Sequence, residues 1–240
     1  MPLLRVALVG CGKVAHLHAA ALATLPEAAF VAACDVSAER AGAFAAKYHL
    51  TPFTDLAALL RDARPDVLLV CTPHPLHAES ATRAAEAGVH VLVEKPLAAT
   101  LADCDLMLAA ARKAGTLLGV VSQRRFYPPV QRMKRAIDAG KLGPPALGVF
   151  IQYSWRDAAY YQSDPWRGRW DTEGGGVLVN QSPHQLDILL WLMGPVAEAS
   201  GYWANLNHPS VEVDDTAVAS LRFRNGGLGS VVTSLSQKPG

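Results

Sequence analysis

Short apolar runs alternate with longer Ala-rich stretches through the first half of the chain. The runs LRVALVG, AAFVAACD, PDVLLVCTP, VHVLVEKP and TLLGVVSQ predict strands, and the stretches between them carry helical spacing. This alternation predicts a doubly wound parallel sheet, because parallel neighbours need a long return connection and both sheet faces must be covered. Near residue 123 the pattern changes. A helix around YPPVQRMKRAIDAGKLG precedes the strand-like runs ALGVFIQYS, EASGYWANLN, VDDTAVASLRFRNGG and LGSVVTSLS, interrupted by one apolar helix, SPHQLDILLWLMG. Asn225-Gly226-Gly227 is a hairpin signal between two of these runs. The expectation is an α/β domain over residues 1–122, then an α+β domain over 123–240 with a largely antiparallel or mixed open sheet. Residues 155–176, rich in Arg, Trp, Tyr and Gly, read as one long irregular loop of the functional kind.

Composition narrows the class. The chain has 240 residues, half of them hydrophobic, with 18% charged and a formal net charge of +1. That is ample chain for a core, and it carries no general electrostatic footprint for nucleic acid or an anionic membrane. Cys11, Cys34, Cys71 and Cys104 are widely spaced, with no Cys-x-x-Cys pair, so neither a disulfide framework nor a metal site is expected. Without a leader or a long apolar span, the chain reads as cytoplasmic, with a small molecule as its partner.

The first chemical motif is VALVGCGKVAHLHAAAL, in which Gly10, Gly12 and Ala15 enclose Lys13 and Val14. It leaves a strand and opens a helix, the context in which glycines let backbone N–H groups approach a pyrophosphate. The next strand ends at Asp35, placed to accept hydrogen bonds from ribose hydroxyls and to repel a 2′-phosphate. NAD is therefore expected, with NADP possible because Arg40 lies close in sequence. The third and fourth strands end at Thr72-Pro73, followed by His74 and His77, and at Glu94-Lys95-Pro96. A parallel sheet binds its ligand outside these carboxyl ends, so the cofactor-binding set extends to Thr72, Pro73, His77, Glu94 and Lys95.

The ordered series of the Gly-x-Gly-x-x-Ala turn, CTPHPLHAE, VEKPLA, SQRRFYP and GGGVLVNQSPHQLDILLWLMG resembles the Gfo/Idh/MocA family of NAD(P)-dependent sugar and cyclitol oxidoreductases. The resemblance runs along the whole chain. It implies a Rossmann-type first domain and a Lys95 that lies beside the nicotinamide and stabilises charge on the reacting oxygen. It also implies that His184 accepts the hydroxyl proton, at a position beside Asn180, where family members commonly carry Asp. An amide there orients the base without favouring its charged form.

Asp187, three residues after His184 on the expected helix, should share its face. Arg124, Tyr153, Arg156, Trp166, Arg167 and Asp187 are the expected substrate contacts, with Arg125, Tyr160, Tyr161, Arg169 and Trp170 nearby. Guanidinium forks and aromatic faces suit a polyhydroxylated ring or an anionic substituent. The resemblance also implies further strands beyond the final SLSQKPG, so the chain reads as C-terminally short. Either it is a fragment or its sheet is completed by a homodimer or homotetramer. The competing function is a dinucleotide-binding sensor that does not turn over.

Overall fold

The computed structural model describes residues 3–238. Two compact units meet at Val121 and Ser122.

In the first unit the elements are β1 (Leu4–Val9), α1 (Ala15–Leu22), β2 (Ala28–Cys34), α2 (Ala38–Tyr48), β3 (Thr51–Phe53), α3 (Leu56–Ala63), β4 (Val67–Val70), α4 (His77–Glu86), β5 (His90–Val93), α5 (Leu101–Ala114) and β6 (Leu118–Val120). The six strands form one parallel sheet in the order β3-β2-β1-β4-β5-β6. Successive strand residues point to opposite faces, so Ala7, Val9, Leu68, Val70, Val91 and Val93 build one core while Val6, Leu8 and Leu69 build the other. Helices start where side chains can satisfy their first N–H groups: Ser37, Asp55 and Thr100 accept from the backbone N–H of Arg40, Ala58 and Asp103. Strand β3 departs from the sequence expectation, which placed five strands here. It is only three residues long with Pro52 at its centre, a combination tolerated because it lies on the sheet edge.

The second unit contains α6 (Pro128–Asp138), β7 (Leu147–Tyr153), α7 (Ala158–Gln162), α8 (Trp170–Glu173), a π-helical turn Val177–Gln181, α9 (Pro183–Met193), β8 (Val196–Ala204), β9 (Thr216–Phe223) and β10 (Leu228–Ser234). Its four-stranded sheet, β7-β10-β9-β8, is mixed. The hairpin β9-β10 and the pair β8-β9 are antiparallel, whereas β10 and β7 run parallel. Helix α9 packs Leu189 and Met193 against Phe150, Phe223 and Val231 on one sheet face. A side chain at Gly148 would meet Leu189 at 2.6 Å and Met193 at 2.8 Å, which shows how closely helix and sheet approach. On the other face Leu147, Val149 and Ile151 of β7, Val218 of β9, Leu228 of β10 and Tyr202 of β8 are exposed. The stretch 155–176 is not irregular throughout, since it holds α7 and α8.

Candidate active site

In the first unit the chemistry gathers because four strands end in register. Val9 pairs with Cys34 on one side and Val70 on the other, and Val70 pairs with Val93. The segments that follow, Gly10–Gly12, Asp35, Cys71–Thr72 and Glu94–Lys95, therefore lie along one edge of the sheet. Gly10 has φ +93°, and a Cβ there would stand 2.7 Å from the backbone of Cys71 and Thr72, so only glycine fits. A Cβ at Gly12 would meet nothing within 4 Å. Exposed Gly12 and Lys13, half-buried Val14 and buried Ala15 lead into α1, whose first turn carries no acidic residue to offset the positive helix end.

The Asp35 carboxylate is buried. Its Oδ1 accepts from Ser37 N–H at 2.9 Å and from Arg40 Nε and Nη2 at 3.1 and 2.8 Å, while Oδ2 accepts from Cys11 N–H at 3.0 Å. Burial alone would raise its pKa, but these donors outweigh burial and hold the carboxyl below its ordinary range. It is a fixed negative charge, and it holds the Gly-rich turn through Cys11.

The Thr72 hydroxyl is buried with no hydrogen-bond partner among the described residues, which suits a polar ligand at this edge. Pro73 leads into a single 3-10 turn that carries His74, buried beside His77. His77, expected among the cofactor contacts, has a different task. It is fully buried, with Nδ1 3.0 Å from Pro96 O and Nε2 2.9 Å from Thr72 O, and so ties the end of β4 to the segment after β5. Burial holds this imidazole below its ordinary pKa, although the carbonyls of Thr72 and Pro96 act in the opposite direction.

Glu94 is also committed. One oxygen lies 2.8 Å from His18 Nε2 on α1 and the other accepts Lys95 N–H at 3.2 Å. Burial opposes its ionisation, yet His18 and Lys95 hold its pKa low. Sequence reasoning missed His18. Its one signal is the spacing from Ala15, three residues earlier on the same helix face. Lys95 is half-buried at the start of a cis Lys95-Pro96 bond.

In the second unit the segment from Trp155 to His184 builds a separate polar cluster. The guanidinium groups of Arg156 and Arg167 both stack on the Tyr160 ring, at 4.9 and 4.5 Å from its centre. The Tyr160 hydroxyl accepts from Gln181 Nε2 at 2.6 Å, Arg167 Nη1 at 2.7 Å and Asn180 Nδ2 at 3.4 Å. Arg156 also donates to Gln181 Oε1 at 3.0 Å, and its Nε is buried with no hydrogen-bond partner among the described residues. Trp166 lies beneath Arg167 at 4.3 Å. Behind them, His208 bridges Asp215 Oδ2 and Arg156 O, each at 2.7 Å. Burial would raise Asp215, but His208 and the N–H groups of Asn207 and Leu206 hold it at about 2.

Asp214 sets the turn before Asn180. Its carboxylate accepts Gly176 N–H at 2.8 Å and Leu178 N–H at 3.3 Å, and a Cβ at Gly176 would overlap its carbonyl oxygen at 1.8 Å. Asn180 then sits buried in the π-helical turn, and His184 is half-buried in the first turn of α9.

Two expected substrate residues have other surroundings. Asp187 is held by both nitrogens of the Arg125 fork, at 2.7 and 2.5 Å, because a planar guanidinium matches a carboxylate in two places at once. Tyr153 ends β7 on the exposed apolar face, in alternation with Leu147, Val149 and Ile151, away from the face covered by α9. Arg124 is half-buried in the 3-10 turn Gln123–Phe126. No group of His, Cys, Asp and Glu that could hold a metal occurs among the described residues.

Residues 4–122 match the family described as "Oxidoreductase family, NAD-binding Rossmann fold", and residues 130–240 match "GFO/IDH/MocA C-terminal domain". The chain belongs to the GFO/IDH/MocA family. Its first unit is that family's NAD-binding domain, and the open Gly12 turn, the orphaned Thr72 hydroxyl and the fixed Asp35 carboxylate fit such a cofactor. Among relatives, the chain is 30% identical to the D-glucoside 3-dehydrogenase of Escherichia coli, over 97% of this chain and 70% of that protein. It is 30% identical to the myo-inositol 2-dehydrogenase of Thermotoga maritima, over 96% of this chain and 68% of that protein. Among solved structures, the WlbA dehydrogenase from Bordetella pertussis in complex with NADH and UDP-GlcNAcA superposes with a TM-score of 0.93. That protein is 36% identical, with coverage of 99% of this chain and 73% of that one. The chain thus spans about two thirds of the length of the family members it matches.

Proposed function

We infer that this GFO/IDH/MocA chain is an NAD-dependent dehydrogenase that reversibly oxidises a secondary alcohol of a sugar or cyclitol. The observation that carries this reading is the register of β1, β4 and β5, which delivers Lys95 to the same sheet edge as the Gly10–Gly12 turn. A dinucleotide sensor has no evident need for a half-buried lysine there. Gly10, Gly12, Lys13, Val14, Ala15, Asp35, Thr72 and Pro73 would hold NAD, which supplies the hydride acceptor when bound. The Lys95 ammonium would stabilise negative charge on the reacting oxygen, and His184 would take the hydroxyl proton at an imidazole nitrogen. His18, through Glu94, holds the backbone from which Lys95 projects.

A sugar bearing a carboxylate is the first class to try. Arg156 and Arg167 gather their positive charge at Tyr160, and the similar WlbA dehydrogenase was crystallised with UDP-GlcNAcA. The test follows NADH absorbance with uronates, UDP-linked sugar uronates, inositols and neutral sugars. Turnover of at least one member is expected. Clear NAD binding with no turnover anywhere in that panel would favour the sensor.

Cofactor preference should follow Asp35. NAD is expected to bind more tightly than NADP, and Asp35→Ala should narrow the preference by roughly tenfold, because the variant removes the repelling charge and releases Arg40. Calorimetric titration of both cofactors reads this, and equal or tighter NADP binding by the unaltered protein would refute it.

The exposed row of Leu147, Val149, Ile151, Val218, Leu228 and Tyr202 is the face through which we propose self-association into a dimer or tetramer. Sedimentation equilibrium distinguishes that state from a monomer. No helix among the described residues is long and apolar enough to cross a membrane, and the free, mostly buried cysteines suit a reducing cytoplasm.

A further inference from the structure

Glu173 has no part in the chemistry above, yet it is a carboxylate 2% exposed at the last position of α8. Burying such a group is costly unless its oxygens are hydrogen-bonded. One oxygen accepts Gly168 N–H at 2.5 Å, and the other accepts Nδ2 of Asn180. An ionised carboxylate offers only acceptors, so it can meet the Asn180 amide only at its NH₂ end. The same NH₂ group reaches the Tyr160 hydroxyl. The amide is therefore held one way round, with Oδ1 as the acceptor it presents.

We propose that Glu173 is a positioning residue that sets the orientation of Asn180, at the turn leading into His184, and that positions 173 and 180 together hold one negative charge. The kinetic part of this proposal rests on the dehydrogenase reading; the charge assignment does not. Groups near the pair include Tyr160 and Tyr161 of α7, whose phenols both feel the Glu173 charge, and Arg156 and Arg167, which both stack on Tyr160. Asp214 is engaged with Gly176 and Leu178, and His184 follows one turn along the chain.

Three variants separate the possibilities. In Glu173→Gln an NH₂ group faces either Gly168 N–H or the Asn180 NH₂, so the asparagine amide turns over. Turnover should fall on the order of ten- to a hundredfold, with KM changing less, as a misplaced reacting group would give.

In Asn180→Asp two carboxylates meet at hydrogen-bond distance. One of them takes a proton, with its folded pKa raised above the unfolded value. Stability from a raised carboxyl is present at low pH and lost as pH rises through the folded pKa. The Tm of this variant, relative to the wild type, should therefore fall between about pH 5 and 8.

The double variant E173Q/N180D exchanges the two groups. The introduced glutamine accepts from Gly168 and donates to the introduced aspartate, so one charge and one matched pair return. The fall in Tm seen in Asn180→Asp should be absent from it, and its turnover should recover most of the loss seen in E173Q. All three retain His184, and Asn180→Asp and the double variant carry the same aspartate near it, so the comparison between those two separates the carboxylate pair from any effect on the imidazole.

Thermal unfolding needs no substrate, and a silent substrate panel would leave that readout intact. Kinetics use NAD with the panel compound that the wild type turns over. If E173Q fails to fold, the double variant must still fold. The proposal is overturned if N180D tracks the wild type across the pH range, or if the double variant is no better than the worse single one. Recovery of Tm without recovery of turnover would leave Glu173 a structural residue and overturn its positioning role.

Discussion

Lys95→Met is expected to lose on the order of a hundredfold or more in turnover while NAD affinity changes little. Methionine keeps the apolar stem and removes only the ammonium, so the comparison isolates charge from packing. The loss follows from what the lysine is proposed to do. A compact cation beside an oxygen that becomes negative in the transition state stabilises that state more than the bound substrate, and such an interaction appears in kcat rather than in cofactor binding. The contacts proposed for NAD come from the Gly10–Gly12 turn, Asp35 and Thr72, whereas the ammonium of Lys95 is proposed to act on the substrate oxygen. Glu94 loses one of the charges that favour its ionised form but keeps His18 at 2.8 Å, so the segment should stay in place. Single-turnover rates and calorimetric NAD titration on the same preparation check both halves of the expectation. Near wild-type turnover would remove Lys95 from the chemistry.

His184→Gln should cost turnover between about a hundredfold and ten thousandfold, the range for deleting a positioned general base. Glutamine can still hydrogen-bond but cannot accept a proton near neutral pH. The wild type should lose activity on the acid side as the imidazole becomes protonated, and that limb should disappear in the variant. Where proton removal or hydride transfer limits the rate, substrate deuterated at the reacting carbon confirms that the chemical step is observed. A variant that retains the acid limb with a full isotope effect would mean that another group is the base. The comparison with Glu173→Gln is informative. A positioning residue should depress the rate and leave the limb in existence, whereas loss of the base removes the limb.

The amino-acid sequence by itself determined the features that are local along the chain. The Gly10–Gly12 turn between β1 and α1 was legible because strand, turn and helix are contiguous, and the strand-end placements of Asp35 and Lys95 follow from the same periodicity. Hairpin β9-β10 was legible because Asn225, Gly226 and Gly227 are adjacent.

Tertiary structure decided what depends on partners distant in sequence. His18 and Glu94 are 76 positions apart, and nothing in either neighbourhood foretells that β5 ends beneath α1. Arg125 takes Asp187 across 62 positions, an ion pair that neither neighbourhood foretells. Pairing with β2 made a strand of three residues around Pro52, against its local propensity. Tyr153 alternates correctly along β7, but alternation alone cannot say which face receives α9 and which stays open. Glu173 and Asn180 are only seven positions apart, yet three glycines and a turn clamped by Asp214 intervene. Their bond depends on how that segment folds back, and periodicity carries no information about a turn set by a distant carboxylate.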